Sequence, residues 1–476
     1  MDRIAACERL LRLLDHHLFA SGKDMPVLSP LSPAQLREKI PLRLPPEGIS
    51  LEELQDLIGL YLDYTVNTAH PLYLNQLWGG VDLPCVWGDL VTSVTNTSMF
   101  TYEVAPVATL IEQELIRKMG SLVGFGQVEG QFTTGGSNGN LMAMAMARYR
   151  KDPDGKSQGM RQHRPLVALV SAEAHYSFEQ AAHLLGLGTD HLWRIPTDPQ
   201  GRMVVAEAER LIRQAKAGGA CPFFLAATAG TTVQGAFDLL PPLTQLAHQE
   251  DLWLHVDGAW GSSVLLSPNH RHLLQGVEQA DSLVWDAHKM MGMTLPCSVL
   301  LINGDHQGLM TKTFASGGRS YLFHETADPA FDLGLGSMHC GRRVDALKLW
   351  LTWKHLGDRG WAERIDRYFQ LAQQAETWIQ SSPHLQLVTP RQSLNLCFQY
   401  VPEDPSLDRN QLVLEIRQRL LQEGIAMVNY AQIVSQTVFR LVLCNNQTQP
   451  DDLDRFFTHL VRIGHELEIQ TRPARL

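Results

Sequence analysis

Short apolar runs recur along the middle of the chain, separated by stretches with helical spacing. Pro165–Val170, Phe223–Ala226, Leu252–Val256, Ser282–Trp285 and Ser298–Ile302 are the clearest. Runs of this length with no polar alternation read as strands buried on both faces, so the pattern predicts a mainly parallel sheet covered by helices. Such a sheet binds ligands at the carboxyl ends of its strands. Before it, Ile4 to Phe19 shows helical spacing, Pro26 to Pro46 punctuate a connection, and Ser50 with Glu53 forms a capping-box pattern that opens a second helix. After it, helix-forming stretches surround strand-like Asn395–Phe398 and Phe439–Leu443. The expected organisation is an α/β protein with a helical arm (1–70), a large domain (71–350) and a smaller α+β domain (351–476).

Composition narrows the class. The 476 residues are 44% hydrophobic and 19% charged, which fits a globular protein with a large core. The net charge is −10, without a basic stripe, which argues against nucleic-acid binding. Seven scattered cysteines, with no C-x-x-C pair, fit a reducing, cytoplasmic compartment better than a disulfide framework or a zinc knuckle. The first residues lack a signal-peptide core, and no apolar run approaches the roughly 20 residues of a membrane span.

Several segments carry candidate chemistry. In Asp286-Ala287-His288-Lys289-Met290-Met291-Gly292 one lysine follows an apolar strand, where desolvation favours an amine nucleophile. Alone, it reads first as a surface lysine after a strand. In His255-Val256-Asp257-Gly258-Ala259 an aspartate ends another strand and needs a cationic partner if buried. A protonated pyridine nitrogen is such a partner. Thr133-Thr134-Gly135-Gly136-Ser137-Asn138-Gly139-Asn140 opens a helix whose exposed N–H groups suit a phosphate, but it lacks the P-loop lysine. His175 follows a strand and fits either a ring-stacking or a core role. His270 and His272 form an H-x-H pair with no further patterned ligand, so no metal site is expected.

In this order the segments resemble the group II pyridoxal-phosphate (PLP) amino-acid decarboxylases, a branch of the aspartate-aminotransferase fold type. The likeness is strongest to those acting on glutamate and cysteine sulfinate. Asn75-Gln76-Leu77, Asn96–Glu103, Gly230-Thr231-Thr232, His288–Gly292, Ser320–Phe323 and Cys340–Asp345 extend the match from about residue 70 to about 465. The resemblance implies PLP as cofactor, with Lys289 as the Schiff-base lysine, Asp257 as partner of the ring nitrogen, and His175 and Ala259 on the two ring faces. Ser137, Asn138, Gly139 and His288 fall at phosphate-side positions, and Thr232 near cofactor and substrate carboxylate. Arg440 matches a carboxylate-clamping arginine, and Tyr321 the proton-donating tyrosine of a mobile loop. Gln76, Trp78 and Ser98 match positions around the substrate side chain. A homodimer with shared sites is also implied.

Two departures stand out. Asp286-Ala287 replaces the family's usual Asn-Pro, and no role follows for Asp286 from sequence. Trp78 stands where relatives carry a smaller residue, which favours a short acidic substrate, cysteine sulfinate or aspartate. Glutamate, 2,4-diaminobutyrate and aromatic amino acids remain as alternative substrates. A PLP-binding protein without catalysis is the non-enzymatic alternative, against which intact Lys289, Asp257, His175, Tyr321 and Arg440 argue.

Overall fold

A computed structural model describes residues 3–20, 25–160, 164–315, 322–323 and 331–471. The chain forms two compact units: Asp82–Phe369, and Met1–Val81 together with Gln370–Leu476. In chain order the strands are β1 (Tyr73–Leu74), β2 (Val128–Thr133), β3 (Leu166–Ser171), β4 (Leu192–Ile195), β5 (Cys221–Thr228) and β6 (Trp253–Asp257). They continue with β7 (Ser282–Asp286), β8 (Ser298–Asn303), β9 (Leu385–Leu387), β10 (Asn395–Tyr400), β11 (Met427–Ile433) and β12 (Gln436–Val442).

The larger unit holds a seven-stranded sheet in the order β2-β8-β7-β6-β5-β3-β4. β4, β3, β5, β6 and β7 are mutually parallel, and β8 runs antiparallel to β7 and β2. Every residue of β3, β6 and β7 is buried, as their continuous apolar character requires in a covered sheet. Register explains where chemistry collects. Asp257 pairs with Thr228, and Asp286 and Thr133 both pair with Ser298. The ends of β2, β5, β6 and β7 therefore lie along one edge of the sheet, with the start of β8.

β2 escapes the apolar pattern because Val128-Glu129-Gly130-Gln131 is an edge strand with a half-buried, polar start. The segment Ser98–Met99 is clasped by the chain at 340–342. Ser98 Oγ donates to Cys340 O (3.0 Å) and accepts from Arg342 N–H (3.2 Å). Buried Arg342 then reaches Glu112 Oε1 (2.6 Å) and Met99 O (2.9 Å), and the same Glu112 oxygen accepts the Phe132 N–H of β2 (3.1 Å).

The other unit contains the sheet β1-β11-β12-β10-β9. Its N-terminal part pairs the helix Arg3–Asp15, which continues as a π-helical turn through Ala20, with the helix Leu51–Tyr64. The expected capping box is present: Ser50 Oγ accepts the Glu53 N–H (3.2 Å) and the Glu53 carboxylate accepts the Ser50 N–H (2.9 Å). Among the described residues no helix is long and apolar enough to cross a membrane.

The Arg342–Glu112 pair yields a stability prediction. Arg342→Met leaves the Glu112 carboxylate, 1% exposed, without its cation. Removing one partner of a buried pair costs about 3–5 kcal/mol. Thermal unfolding should move to clearly lower temperature. An unchanged midpoint would show that the pair contributes nothing.

Candidate active site

The turn after β7 carries Lys289. Asp286 closes the strand, and Lys289 N–H bonds back to Asp286 O (3.0 Å), which folds the lysine over the strand end. Lys289 Nζ then lies 3.2 Å from Asp286 Oδ2, with the lysine side chain 19% exposed and the carboxylate 1%. Burial alone would raise the Asp286 carboxyl; the Lys289 ammonium and His288 beside it hold it below its usual range instead. Ser298 Oγ completes the setting by donating to Asp286 Oδ1 (2.5 Å). Asp286 is thus part of the site, although sequence patterning left it without a role. Its signal was the replacement of an amide by a carboxylate three residues before the lysine.

His288 is buried beside them, with Nε2 3.6 Å from Asp286 Oδ2 and Nδ1 within 2.9 Å of Cys297 O. Burial lowers its pKa, opposed by Asp286. One strand over, Asp257 is 5% exposed and accepts from Asn140 Nδ2 (2.9 Å) and from the Ala259 N–H (3.2 Å). His175, half-buried after β3, is lowered chiefly by burial, with Asp257 raising it and Lys289 lowering it further. These mutual effects place His175, Asp257, Asp286 and Lys289 in one electrostatic neighbourhood.

The helix Gly136–Lys151 opens at the same sheet edge. Gly135 has φ +143°, and a Cβ at Gly136 would meet Asp286 Oδ2 at 2.9 Å and Ala259 Cβ at 3.0 Å. Glycine is therefore required by the closeness of two site residues. Gly139 sits against Val284 of β7, where a Cβ would come within 2.3 Å. The first N–H groups of a helix have no intrahelical acceptor. Here Gly135 O takes the Asn138 and Gly139 N–H groups (3.0 and 3.2 Å), and the N–H groups before them stand beside exposed Ser137 and beside Asn138, whose Oδ1 is buried with no hydrogen-bond partner among the described residues. Thr232 is half-buried in the turn after β5, which Gly230 (φ +87°) closes against Trp260.

An amine beside a strand-end carboxylate, a second buried carboxylate, an imidazole and a helix entrance with an unmet polar atom together fit PLP. Lys289 would hold its aldehyde carbon, Asp257 its ring nitrogen, and Ser137, Asn138 and Gly139 its phosphate.

The remaining sequence candidates lie on other segments. Ser98 has its hydroxyl engaged by 340–342. In the other unit Arg440, on β12 and 6% exposed, donates through Nη2 to Asn75 O (2.7 Å), and burial lowers its pKa. Trp78 is half-buried with its ring 5.6 Å from that of Tyr73, and Gln76 is half-buried nearby in sequence. Tyr321 lies outside the described residues. His270 stacks on Phe369 (3.7 Å) and His272 Nδ1 bonds Asn269 O (3.0 Å). A different trio, His384, Glu403 and His465, brings ligand-type atoms within 4.8 Å of one another, with Glu403 exposed.

Comparison with known proteins agrees with this chemistry. Residues 33–401 match the pyridoxal-dependent decarboxylase conserved domain. Human cysteine sulfinic acid decarboxylase is 40% identical over 449 residues, covering 91% of this chain and 90% of the relative. Human acidic amino acid decarboxylase GADL1 is 36% identical, covering 91% and 85%. The crystal structure of mouse CSAD superposes with a TM-score of 0.94 at 36% identity, over 98% of this chain and 99% of that one. An amine, two buried carboxylates and a phosphate-type helix entrance at one sheet edge, in a chain so matched, make this protein a PLP-dependent amino-acid decarboxylase, a member of the pyridoxal-dependent decarboxylase family.

Proposed function

We propose that the chain decarboxylates a small acidic amino acid, cysteine sulfinate or L-aspartate. The observation that carries this is the similarity, over about nine-tenths of both chains, to relatives named for cysteine sulfinic acid and for acidic amino acids. Trp78 supports the shorter substrates, because an indole in place of a small side chain takes up the room of a methylene.

Bound PLP supplies a cationic aromatic ring that accepts the electron pair left at the α-carbon when carbon dioxide departs. The chain's own groups have separate tasks. Lys289 would hold the cofactor through its aldehyde. Asp257 would supply the negative charge that keeps the ring nitrogen protonated, and His175 and Ala259 would lie against the ring. Arg440, with help from Thr232, orients the substrate carboxylate. Gln76 serves its side chain, and Ser98, whose hydroxyl already bonds Cys340 O and the Arg342 N–H, would release one of these to join it. Tyr321 donates the proton that replaces the lost carboxylate, a general-acid task. Asp286 gives Lys289 a fixed counter-charge whenever the amine is free and protonated.

We also propose a homodimer working in the cytoplasm. Trp87, Leu90, Val91 and Val94 form one exposed stripe along the helix Leu83–Thr95, with Val94 85% exposed. Val104, Val107 and Leu110 are also exposed on the following segment and helix. Apolar stripes of this kind mark a protein interface, and a second copy gives it closed symmetry. The seven free thiols support a reducing compartment.

Three outcomes follow. In a carbon-dioxide release assay, kcat/KM for cysteine sulfinate or aspartate should exceed that for glutamate by roughly 10- to 200-fold, the worth of one methylene. Trp78→Ser should narrow that ratio, and an unchanged ratio would make the indole a packing residue. Tyr321→Phe should bind PLP as wild type yet produce amine about 10²- to 10⁴-fold more slowly; normal turnover would assign the proton to another group. Light scattering should give twice the chain mass, and Val94→Asp should shift the protein toward monomer. An active wild-type monomer at working concentration would contradict the dimer.

A further inference from the structure

β6 contains one residue that does not belong in an apolar strand. His255 is wholly buried between β5 and β7, and the reaction makes no direct use of it. A buried imidazole must satisfy both ring nitrogens. Nδ1 lies 2.8 Å from Ser282 Oγ, and Nε2 lies 2.9 Å from Asn140 Oδ1.

Ser282 can serve either ring tautomer: its Oγ is 2.8 Å from Trp253 Nε1, an indole N–H that only donates, and the serine keeps a second lone pair and its own hydrogen for His255 Nδ1. The choice is made at the other end. The Asp257 carboxylate only accepts, so Asn140 gives it the NH2 and turns Oδ1 to His255, and Nε2 bears the ring hydrogen and donates to Asn140 Oδ1. The Asn140 amide is thus oriented: its oxygen faces His255, and its NH2 faces Asp257 Oδ2 (2.9 Å) and Ser177 Oγ (3.0 Å). Burial keeps His255 neutral by pushing its pKa down to about 3, so its ring continues to present one donor and one acceptor.

The opposite orientation fails on chemistry. With the hydrogen on Nδ1, Nε2 would need the Asn140 NH2, and the amide oxygen would turn to Asp257. Two acceptors would then meet at 2.9 Å, in a site too dry to screen them. The acceptor-only carboxylate of Asp257 thus settles the direction of the whole chain, and Trp253 adds a donor at its far end.

We infer that Asn140 and His255 are positioning residues, joined with Ser282 and Trp253 in a one-way hydrogen-bond relay that holds Asp257 as the acceptor for the cofactor's ring nitrogen. The inference rests on the proposed role of Asp257.

The test is PLP titration of the full-length apoprotein, reading the dissociation constant and the visible spectrum of the loaded form. Asn140→Asp is nearly isosteric but sets an acceptor against Asp257, and His255→Leu removes the donor to Asn140. Both should weaken PLP binding about tenfold or more, the scale of a hydrogen bond to a charged group, and shift the visible band. His255→Gln can place an amide N–H where Nε2 stood, and should stay within about threefold of wild type. Should either damaging variant fail to fold, Trp253→Phe, which keeps an aromatic ring and removes the donor that anchors Ser282, should move both readouts the same way by less. Wild-type affinity and spectrum in the damaging variants, or in Trp253→Phe measured in their place, would overturn the relay. So would a His255→Gln protein as impaired as His255→Leu, because bulk would then be the cause. Asp257→Asn is the control for the underlying reading: if it binds PLP like wild type, the role of Asp257 fails and not the relay alone.

Discussion

Asp257 and Asp286 end adjacent parallel strands, 5% and 1% exposed, and the groups around them answer the cost of burying two carboxylates. An isolated buried charge costs several kcal/mol, and only partners in good geometry offset it. Asp286 has the Lys289 ammonium and the Ser298 hydroxyl. Asp257 has hydrogen bonds from Asn140 and Ala259, neither of which carries a positive charge. On the proposed reading, the protonated ring of bound PLP would supply that charge. Stability and chemistry would then pull the same way, each carboxylate being tolerable in the fold because a functional cation belongs beside it.

Much of this was legible in the sequence, for a physical reason. Strands covered on both faces cannot hide their apolar runs, so β3, β5, β6, β7 and β8 stand out, and the polar residues just beyond them mark the ligand edge. Ser50 and Glu53 announce a helix start because the capping box is a local hydrogen-bond pattern. β2 is not legible, since half-buried edge positions tolerate glutamate and glycine, and buried Gln131 breaks the apolar run as well. The parts of the site that sequence misses are set by register rather than by motif. Asn140, His255 and Ser282 are distant along the chain and meet only because the helix after β2 packs across β6 and β7. Asp286 is visible as a departure from a familiar pattern, but its contact with Lys289 depends on how the turn folds back.

The second unit contributes a different kind of constraint. Arg440 is buried on β12 with one terminal nitrogen bound to Asn75 O, which holds its guanidinium in a fixed direction. Trp78 leans on Tyr73, which restrains the indole. Restrained groups lose less entropy on binding than mobile ones, and a fixed bulky wall discriminates by length more sharply than a flexible one. The proposed preference for a short acid therefore rests on stiffness as much as on size.

The central claim is that Lys289 is the lysine that carries the cofactor. Reducing the PLP-loaded protein with borohydride fixes the cofactor to whichever amine holds it, and peptide mapping by mass spectrometry then reads the position. The account predicts a phosphopyridoxyl group on the peptide containing Lys289 and on no other at one equivalent of cofactor. The mark on a different lysine, with Lys289 unmodified, would contradict it.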